Sequence, residues 1–235
     1  MKLLLCSQTL NNDSLRNALR SMLDKPTAQC NFVYIPTAAN PDRNNPWLVQ
    51  DMYEVKELGW KNFSMLDLAV VAGWPKDLWW QTIEDADVIM VGGGNSGYLS
   101  YWMYESGLAQ KLPELLKSKV YVGSSAGSMF TTPSQASSSG GLKNAPTYDF
   151  PLDDAEVPKG QIHRQTLNLV PFLFRPHWHA PTAPNITEEV IQKAANDLNM
   201  PIYLVDDQTA IKVTDDQVEV ISEGQWRLLR PITTE

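Results

Sequence analysis

The sequence is poor in three features that would each point to a particular class of protein. It holds 19 Lys and Arg against 27 Asp and Glu, and this excess of negative charge argues against a nucleic-acid partner. Its two cysteines, Cys6 and Cys30, are too few for a disulfide framework and are typical of a reducing compartment. No apolar run approaches the ~20 residues that a membrane-spanning helix needs. The opening MKLLLCSQ also turns polar too soon for a secretory signal, so we expect a cytoplasmic protein that binds no membrane.

Short apolar runs alternate with helical patterns along the first half of the chain. The alternation predicts strands near residues 3–6, 31–38, 62–70, 86–94 and 119–123. It predicts helices near residues 12–26, 46–60, 76–84 and 96–118, the last one broken at Gly107 or Pro113. Such an order is typical of an α/β fold with a mostly parallel, flavodoxin-like sheet that helices cover on both faces.

The second half of the chain has a different pattern. Residues 131–165 are rich in Ser, Gly and Pro without a sustained period, which is typical of a functional or mobile loop. A strand near 167–174 and a helix near 185–198 follow. Three further apolar runs, at 201–213, 217–222 and 225–229, predict a C-terminal antiparallel meander. No repeat or domain boundary is visible, so we expect residues 1–235 to form a single domain.

The fifth predicted strand ends in Gly123-Ser124-Ser125-Ala126-Gly127. The pattern G-x-S-x-G after a strand and before a helix is typical of a nucleophile elbow, in which a tight turn presents a serine. The glycines are needed because neighbours two residues away on either side must be nearly free of side-chain atoms. The alternative is that small residues only allow close packing of a helix on the sheet.

The fourth predicted strand runs into Gly92-Gly93-Gly94-Asn95. Glycines at this place leave backbone N–H groups free to face a ligand, either as a phosphate cradle or as an oxyanion loop. Gly92, Gly94 and Gly97 fit the spacing of a dinucleotide-binding pattern, but that pattern belongs after a first strand and needs a later acidic residue. We therefore expect no dinucleotide or other cofactor.

A serine nucleophile needs a base, and the chain has three histidines, His163, His177 and His179. His163 lies in the irregular segment, whereas the other two follow an apolar run near the expected mouth of the sheet. The pair His177 and His179 is a weak zinc signal because no further His or Cys cluster accompanies it. We expect no metal.

Four segments together resemble the serine peptidase family S51, which includes aspartyl dipeptidase (peptidase E) and cyanophycinase. They are GGGNSGYL, GSSAGSM, LNLVPFLFRPHWHA and VDDQTAIKV, in this order along nearly the whole chain. The resemblance implies a class I glutamine amidotransferase-like fold with Ser125 as the nucleophile and His177 as the general base. It also implies that backbone N–H groups around Gly93, Gly94 or Asn95, together with Ala126, meet the oxyanion.

The third member of the triad is where the sequence departs from this family. The family has a Glu in a segment resembling DENTA, and this chain has Asp206-Asp207-Gln208-Thr209-Ala210, so that Asp207 takes the Glu position. Either carboxylate can orient an imidazole. Asp206, or Asp149 in the irregular segment, is the alternative partner of His177.

The resemblance implies hydrolysis of short peptides, most simply dipeptides, by a monomer or homodimer. A preference for N-terminal Asp does not transfer, because the segment HAPTAPNITEEVIQ lacks the Arg that aspartyl dipeptidases have there. Two alternatives remain, an esterase or amidase with the same triad and a non-catalytic or regulatory protein that binds a small molecule. An α/β-hydrolase is disfavoured because its acid precedes its histidine in the chain.

Overall fold

The computed structural model describes residues 1–135 and 165–232. Its strands are β1 (Lys2–Cys6), β2 (Asn31–Ile35), β3 (Asn62–Met65), β4 (Val88–Val91), β5 (Val120–Ser124), β6 (Leu173–Trp178), β7 (Ile202–Asp206), β8 (Thr209–Thr214), β9 (Gln217–Ser222) and β10 (Trp226–Leu229). Its α-helices are α1 (Asp13–Met22), α2 (Pro46–Lys56), α3 (Leu68–Val71), α4 (Trp80–Asp85), α5 (Ser96–Glu105), α6 (Leu108–Leu115), α7 (Ala126–Met129) and α8 (Glu188–Leu198). Single 3-10 turns lie at Thr27–Gln29, Thr37–Ala39 and Lys76–Leu78.

The strands form two sheets. The larger sheet has seven strands in the order β3-β2-β4-β5-β1-β8-β9, and its first five strands are parallel. The smaller sheet has the order β10-β7-β6. As predicted, β8 runs antiparallel to β1 and β9, and β10 runs antiparallel to β7, whereas β7 runs parallel to β6. The predicted run at 201–213 consists of two strands, β7 and β8, joined by a turn, and these two strands belong to different sheets.

Both faces of the larger sheet are covered, which explains why its inner strands are almost entirely apolar. Side chains alternate along β1, so that Leu3 and Leu5 face one layer while Leu4 and Cys6 face the other. One layer contains α1 and α2. The opposite layer contains α3 to α7 and also side chains of the smaller sheet, such as Phe174 and Val205. The predicted mostly parallel α/β fold is thereby confirmed.

Local features decide where the third strand ends and which of the two predicted positions interrupts the helix at 96–118. The third strand ends at Met65 instead of reaching residue 70, because the Asp67 side chain accepts a hydrogen bond from Ala69 N and starts a short helix. The predicted helix 96–118 is broken at Gly107, which adopts φ +79, while Pro113 remains inside α6.

The strand predicted at 167–174 lies later in the chain, at Leu173–Trp178. His177 is therefore part of a strand and does not follow one. The pairing of β6 with β7 shifts its register between Arg175 and Trp178, and His177 lies inside this irregularity with φ +66. Most of the irregular segment 131–165, including His163 and Asp149, lies outside the described residues. Across residues 1–135 and 165–232, no helix combines the length and apolar character needed to cross a membrane.

Candidate active site

Ser125 occupies a sharp turn between β5 and α7. Its backbone is strained, with φ +47 and ψ −105, a region that a residue with a side chain rarely adopts. Its N–H donates to the carbonyl of Cys6 at 3.0 Å, which ties the turn to the end of β1. The side chain is partly exposed at the carboxyl edge of the parallel strands, the edge where ligands of such sheets bind.

The glycines around Ser125 are required by close backbone contacts. A Cβ atom at Gly123 would lie 2.6 Å from the backbone nitrogen of Ser128, and one at Gly127 would collide with the carbonyl of Val91. Neither contact can be relieved by moving a flexible side chain. The turn therefore has the geometry of a nucleophile elbow, as the pattern G-x-S-x-G predicted.

His177 reaches Ser125 from the smaller sheet. The bulge in β6 gives His177 its positive φ and turns its ring toward the elbow. His177 Nε2 lies 2.8 Å from Ser125 Oγ, a hydrogen-bonding distance. The two residues thus come from different sheets and meet where the sheets pack together.

Asp207 lies in the turn between β7 and β8. Its Oδ1 is 2.7 Å from His177 Nδ1, on the side of the ring opposite Ser125. The Asn11 amide donates to the backbone carbonyl of Asp207 at 2.7 Å, and the Asn12 amide donates to that of Gln208 at 3.1 Å. Burial alone would raise the pKa of the Asp207 carboxyl, but hydrogen bonds from His177 and Ser7, with the charge of His177, hold it below its ordinary value.

The other carboxylates and histidines that we considered have different surroundings. The Asp206 carboxylate accepts hydrogen bonds from Gln208 N, Thr209 Oγ1 and Gln225 N, so it organises the turn after β7 and the start of β10. His179 is exposed and its ring stacks on Trp178 with centroids 4.2 Å apart. Asp149 and His163 lie outside the described residues.

The glycine loop after β4 lies directly beside the elbow. A Cβ atom at Gly93 would be 3.2 Å from the Cβ of Ser125, and Gly94 has φ +128. Asn95 N donates to the carbonyl of Ala38 at 2.7 Å, and the Asn95 side chain caps α5 by accepting from Tyr98 N. The Asn95 N–H that we expected near the oxyanion is therefore already used. Within the described residues, the N–H groups of Gly93, Gly94 and Ala126 form no hydrogen bond.

Sequence reasoning missed Ser7, the residue that follows β1. Its hydroxyl is 2.8 Å from Asp207 Oδ1 and 2.9 Å from the backbone nitrogen of His177. The local pattern of a small polar residue after a buried strand is too common to single it out. No group of three or more His, Cys, Asp or Glu side chains that could hold a metal ion occurs in the described part of the chain.

Known proteins resemble this chain in sequence and in fold. The family model of peptidase family S51 matches residues 3–221, nearly the whole chain. The chain belongs to peptidase family S51. Among curated S51-like relatives, a peptidase E of Nostoc is 30% identical over 60% of this chain and 54% of its own length. An uncharacterized peptidase of Listeria innocua is 28% identical over 79% of this chain and 81% of its own length.

Solved structures share the fold of this S51 member. A candidate peptidase E of Listeria monocytogenes superposes with a TM-score of 0.70 at 21% identity, covering 95% of this chain and 98% of that one. A peptidase of an acI-B1 actinobacterium gives a TM-score of 0.68 at 17% identity, covering 98% and 91%. At these identities the likeness shows the fold alone. The matched stretch spans about half the length of the curated peptidase E relatives of Nostoc and Streptomyces coelicolor.

Proposed function

We propose that this S51 member is a serine peptidase that hydrolyses short peptides, most simply dipeptides, through an acyl-enzyme. The observation that carries the proposal is the hydrogen-bonded chain of three side chains, with 2.8 Å between Ser125 Oγ and His177 Nε2 and 2.7 Å between His177 Nδ1 and Asp207 Oδ1. Nucleophile, base and orienting acid in this geometry are what acyl transfer requires.

In the proposed mechanism, Ser125 Oγ attacks the peptide carbonyl while His177 Nε2 takes the hydroxyl proton. The tetrahedral intermediate collapses, the C–N bond breaks, and His177 gives the proton to the leaving amine. Water then attacks the ester carbonyl on Ser125, with His177 again as the base. The bond between Ser125 Oγ and the carbonyl carbon breaks, the acid product leaves, and His177 returns the proton to Ser125 Oγ. The Asp207 carboxylate keeps Nδ1 protonated, so that Nε2 is the nitrogen free to accept a proton, and it stabilises the imidazolium that forms.

The oxyanion needs donors that the protein has not already used. Among the described residues, the N–H of Ala126, directly after Ser125, is one donor with no hydrogen-bond partner, and the N–H of Gly93 or Gly94 is the other. We leave Asn95 N out of the proposed pair because it donates to the Ala38 carbonyl. The absence of a side chain at Gly93 is consistent with this role, since a larger residue would crowd Ser125.

The substrate class rests on the family and its relatives. Several relatives are named peptidase E, but this chain spans only part of their length, and residues 179–192 contain no Arg. We therefore propose short peptides without a preference for N-terminal Asp. The assembly that acts on them is a monomer or a homodimer.

A dipeptide and tripeptide library tests the proposal, with release of free amino acids as the readout and Ser125→Ala as the matched control. We expect the wild-type protein to cleave a subset of dipeptides and the variant to cleave none. Hydrolysis of activated esters or simple amides without any peptide cleavage would favour the esterase or amidase alternative. Saturable binding without turnover of any of these compounds would favour the non-catalytic alternative.

A further inference from the structure

Ser7 lies at the junction of the three segments that form the site. It directly follows β1, its side chain is fully buried, and its N–H donates to the carbonyl of Thr209 at 3.1 Å. β1 belongs to the larger sheet and pairs with β5, the strand that leads to Ser125. Thr209 begins β8, just after the Asp207 turn. The backbone of Ser7 therefore has a fixed position relative to both the elbow and the turn.

The direction of the two Ser7 hydrogen bonds follows from the chemistry of the groups. The backbone N–H of His177 can only donate, so Ser7 Oγ accepts from it at 2.9 Å. The hydroxyl proton of Ser7 then points to the other partner, Asp207 Oδ1, at 2.8 Å. An ionised carboxylate can only accept, so both hydrogen bonds are satisfied at the same time and in one orientation of the hydroxyl.

We propose that Ser7 is a positioning residue of the triad, which holds the Asp207 carboxylate and the strained His177 backbone in a fixed position relative to each other. This inference rests on the proposed function of Ser125, His177 and Asp207. Ser7 touches no reacting atom and acts through its two partners.

Ser7 would act through Asp207 Oδ1, the oxygen that also accepts from His177. Asp207 Oδ1 accepts from both Ser7 Oγ and His177 Nδ1, so two donors of fixed position define the orientation of the carboxylate. The hydrogen bond from Ser7 also favours the ionised form, because a donor stabilises the charge. On the other side, the hydrogen bond from His177 N supports a backbone at φ +66, a conformation that needs tertiary support.

Ser7→Ala, Ser7→Cys and a matched control, Ser106→Ala, test the proposal. Ser106 is also buried, and its hydroxyl likewise accepts from a backbone N–H, that of Leu108, and donates to a carbonyl, that of Met103. It lies at the far end of α5 and contacts no triad residue that the structure describes. Ser7→Cys places a larger sulfur atom, only a weak donor, where Ser7→Ala leaves a space, so a loss common to both variants reports on the hydrogen bonds rather than on packing.

The first readout does not depend on turnover. Proton NMR detects the strongly downfield proton shared by His177 Nδ1 and Asp207 Oδ1. We expect this signal in the wild-type protein and in Ser106→Ala, and expect it to be shifted and broadened in both Ser7 variants. Asp207→Ala should lack it and so assigns the signal. An unchanged signal in folded Ser7→Ala and Ser7→Cys would overturn the proposal.

The second readout is how the loss of activity divides between kcat and KM. We expect kcat of both Ser7 variants to fall roughly 10–100-fold with KM nearly unchanged, as for loss of one hydrogen bond to a charged group. An interaction that only orients the triad changes kcat and leaves substrate binding intact. A loss that falls on KM with kcat unchanged, or a loss equally large in Ser106→Ala, would overturn the positioning role. If the wild-type protein cleaves no peptide, the proposed function fails, and the NMR comparison still decides the role of Ser7.

Discussion

The two halves of the candidate site are built in different ways. The Ser125 half belongs to the larger sheet and is specified within five residues, since Gly123 and Gly127 make the elbow possible. The His177 half belongs to the smaller sheet and depends on a bulge, on the turn after β7 and on the packing of one sheet against the other. Both halves place their key residue at positive φ, +47 for Ser125 and +66 for His177.

This difference shows which kind of change should damage which half. The elbow is a local backbone structure, so it is sensitive to the volume of the residues within it. The His177 half is held by side-chain hydrogen bonds between segments that are distant in the chain, so it is sensitive to loss of single polar groups. The two halves should therefore respond to different substitutions.

Replacement of the proposed base, His177, is the strongest test of the His177 half. We expect His177→Ala to lower kcat by about 10⁴–10⁶-fold, because a serine without its base is a weak nucleophile. His179→Ala is the matched control, because His179 is exposed and stacks on Trp178. It should keep most of the activity in a dipeptide hydrolysis assay. The opposite result, an inactive His179→Ala and an active His177→Ala, would show that His179 and not His177 is the base.

The acid should give the next largest effect. We expect Asp207→Asn to lower kcat by up to ~10⁴-fold, since an amide favours the wrong imidazole tautomer. Asp207→Glu should keep part of the activity if the turn accommodates one more methylene. Asp206→Asn serves as the control. Because Asp206 organises the turn after β7, we expect this variant to lower the free energy of unfolding and to change kcat much less than Asp207→Asn does. Normal turnover by Asp207→Asn would remove Asp207 from the triad.

The tolerance of the elbow for an added side-chain atom is tested at Gly127. We expect Gly127→Ala to destabilise the protein by about 3–5 kcal/mol and to abolish activity, because the new methyl group collides with the Val91 carbonyl. Gly73→Ala is the control, because the nearest atom to its new Cβ is 3.9 Å away and the change should be nearly neutral. Urea unfolding measures both free energies. A Gly127→Ala protein as stable as the wild type would show that the elbow can relax.

The smallest effect is expected at Asp51 on α2, a buried carboxyl whose charge interacts with that of Asp207. Asp51 is 2% exposed, and burial, with the charges of Glu54 and Asp207, raises its pKa to about 7. The folded state therefore binds a proton that the unfolded state has released, so this carboxyl lowers stability as pH rises from about 4 to 7. The loss should reach roughly 2–4 kcal/mol above pH 7.

Asp51→Asn cannot ionise, so it should remove this part of the pH dependence. We expect its free energy of unfolding, relative to that of the wild type, to increase between pH 4 and pH 8. Urea unfolding at both pH values measures the difference. An equal pH dependence in the two proteins would show that Asp51 does not titrate in this range.

The elbow half was predictable from sequence because its determinants are adjacent in the chain. The pattern around Ser125 needs a strand, a turn and two glycines, all visible within residues 120–127. The mostly parallel character of the larger sheet followed in the same way from the alternation of apolar runs and helical patterns, whereas the order of its strands did not.

The His177 half could be predicted only in part. The resemblance to S51 peptidases singled out His177 and Asp207. The strand, however, was expected to end before the histidines. No local sequence pattern predicts the bulge in β6, because it depends on pairing with β7. Ser7 was not predicted because its partners lie 170 and 200 residues away. The engagement of Asn95 N by Ala38 likewise depends on how two loops pack, which local sequence does not encode.

Labelling by a fluorophosphonate, which reacts with serines activated by a neighbouring base, tests the central claim most directly. Intact mass spectrometry should show addition of one phosphonyl group, and peptide mapping should locate it on Ser125. We expect Ser125→Ala to remain unlabelled and His177→Ala to react far more slowly, since Ser125 would lack its base. A wild-type protein that stays unmodified, or one labelled on a different serine, would contradict the assignment of Ser125 as the nucleophile.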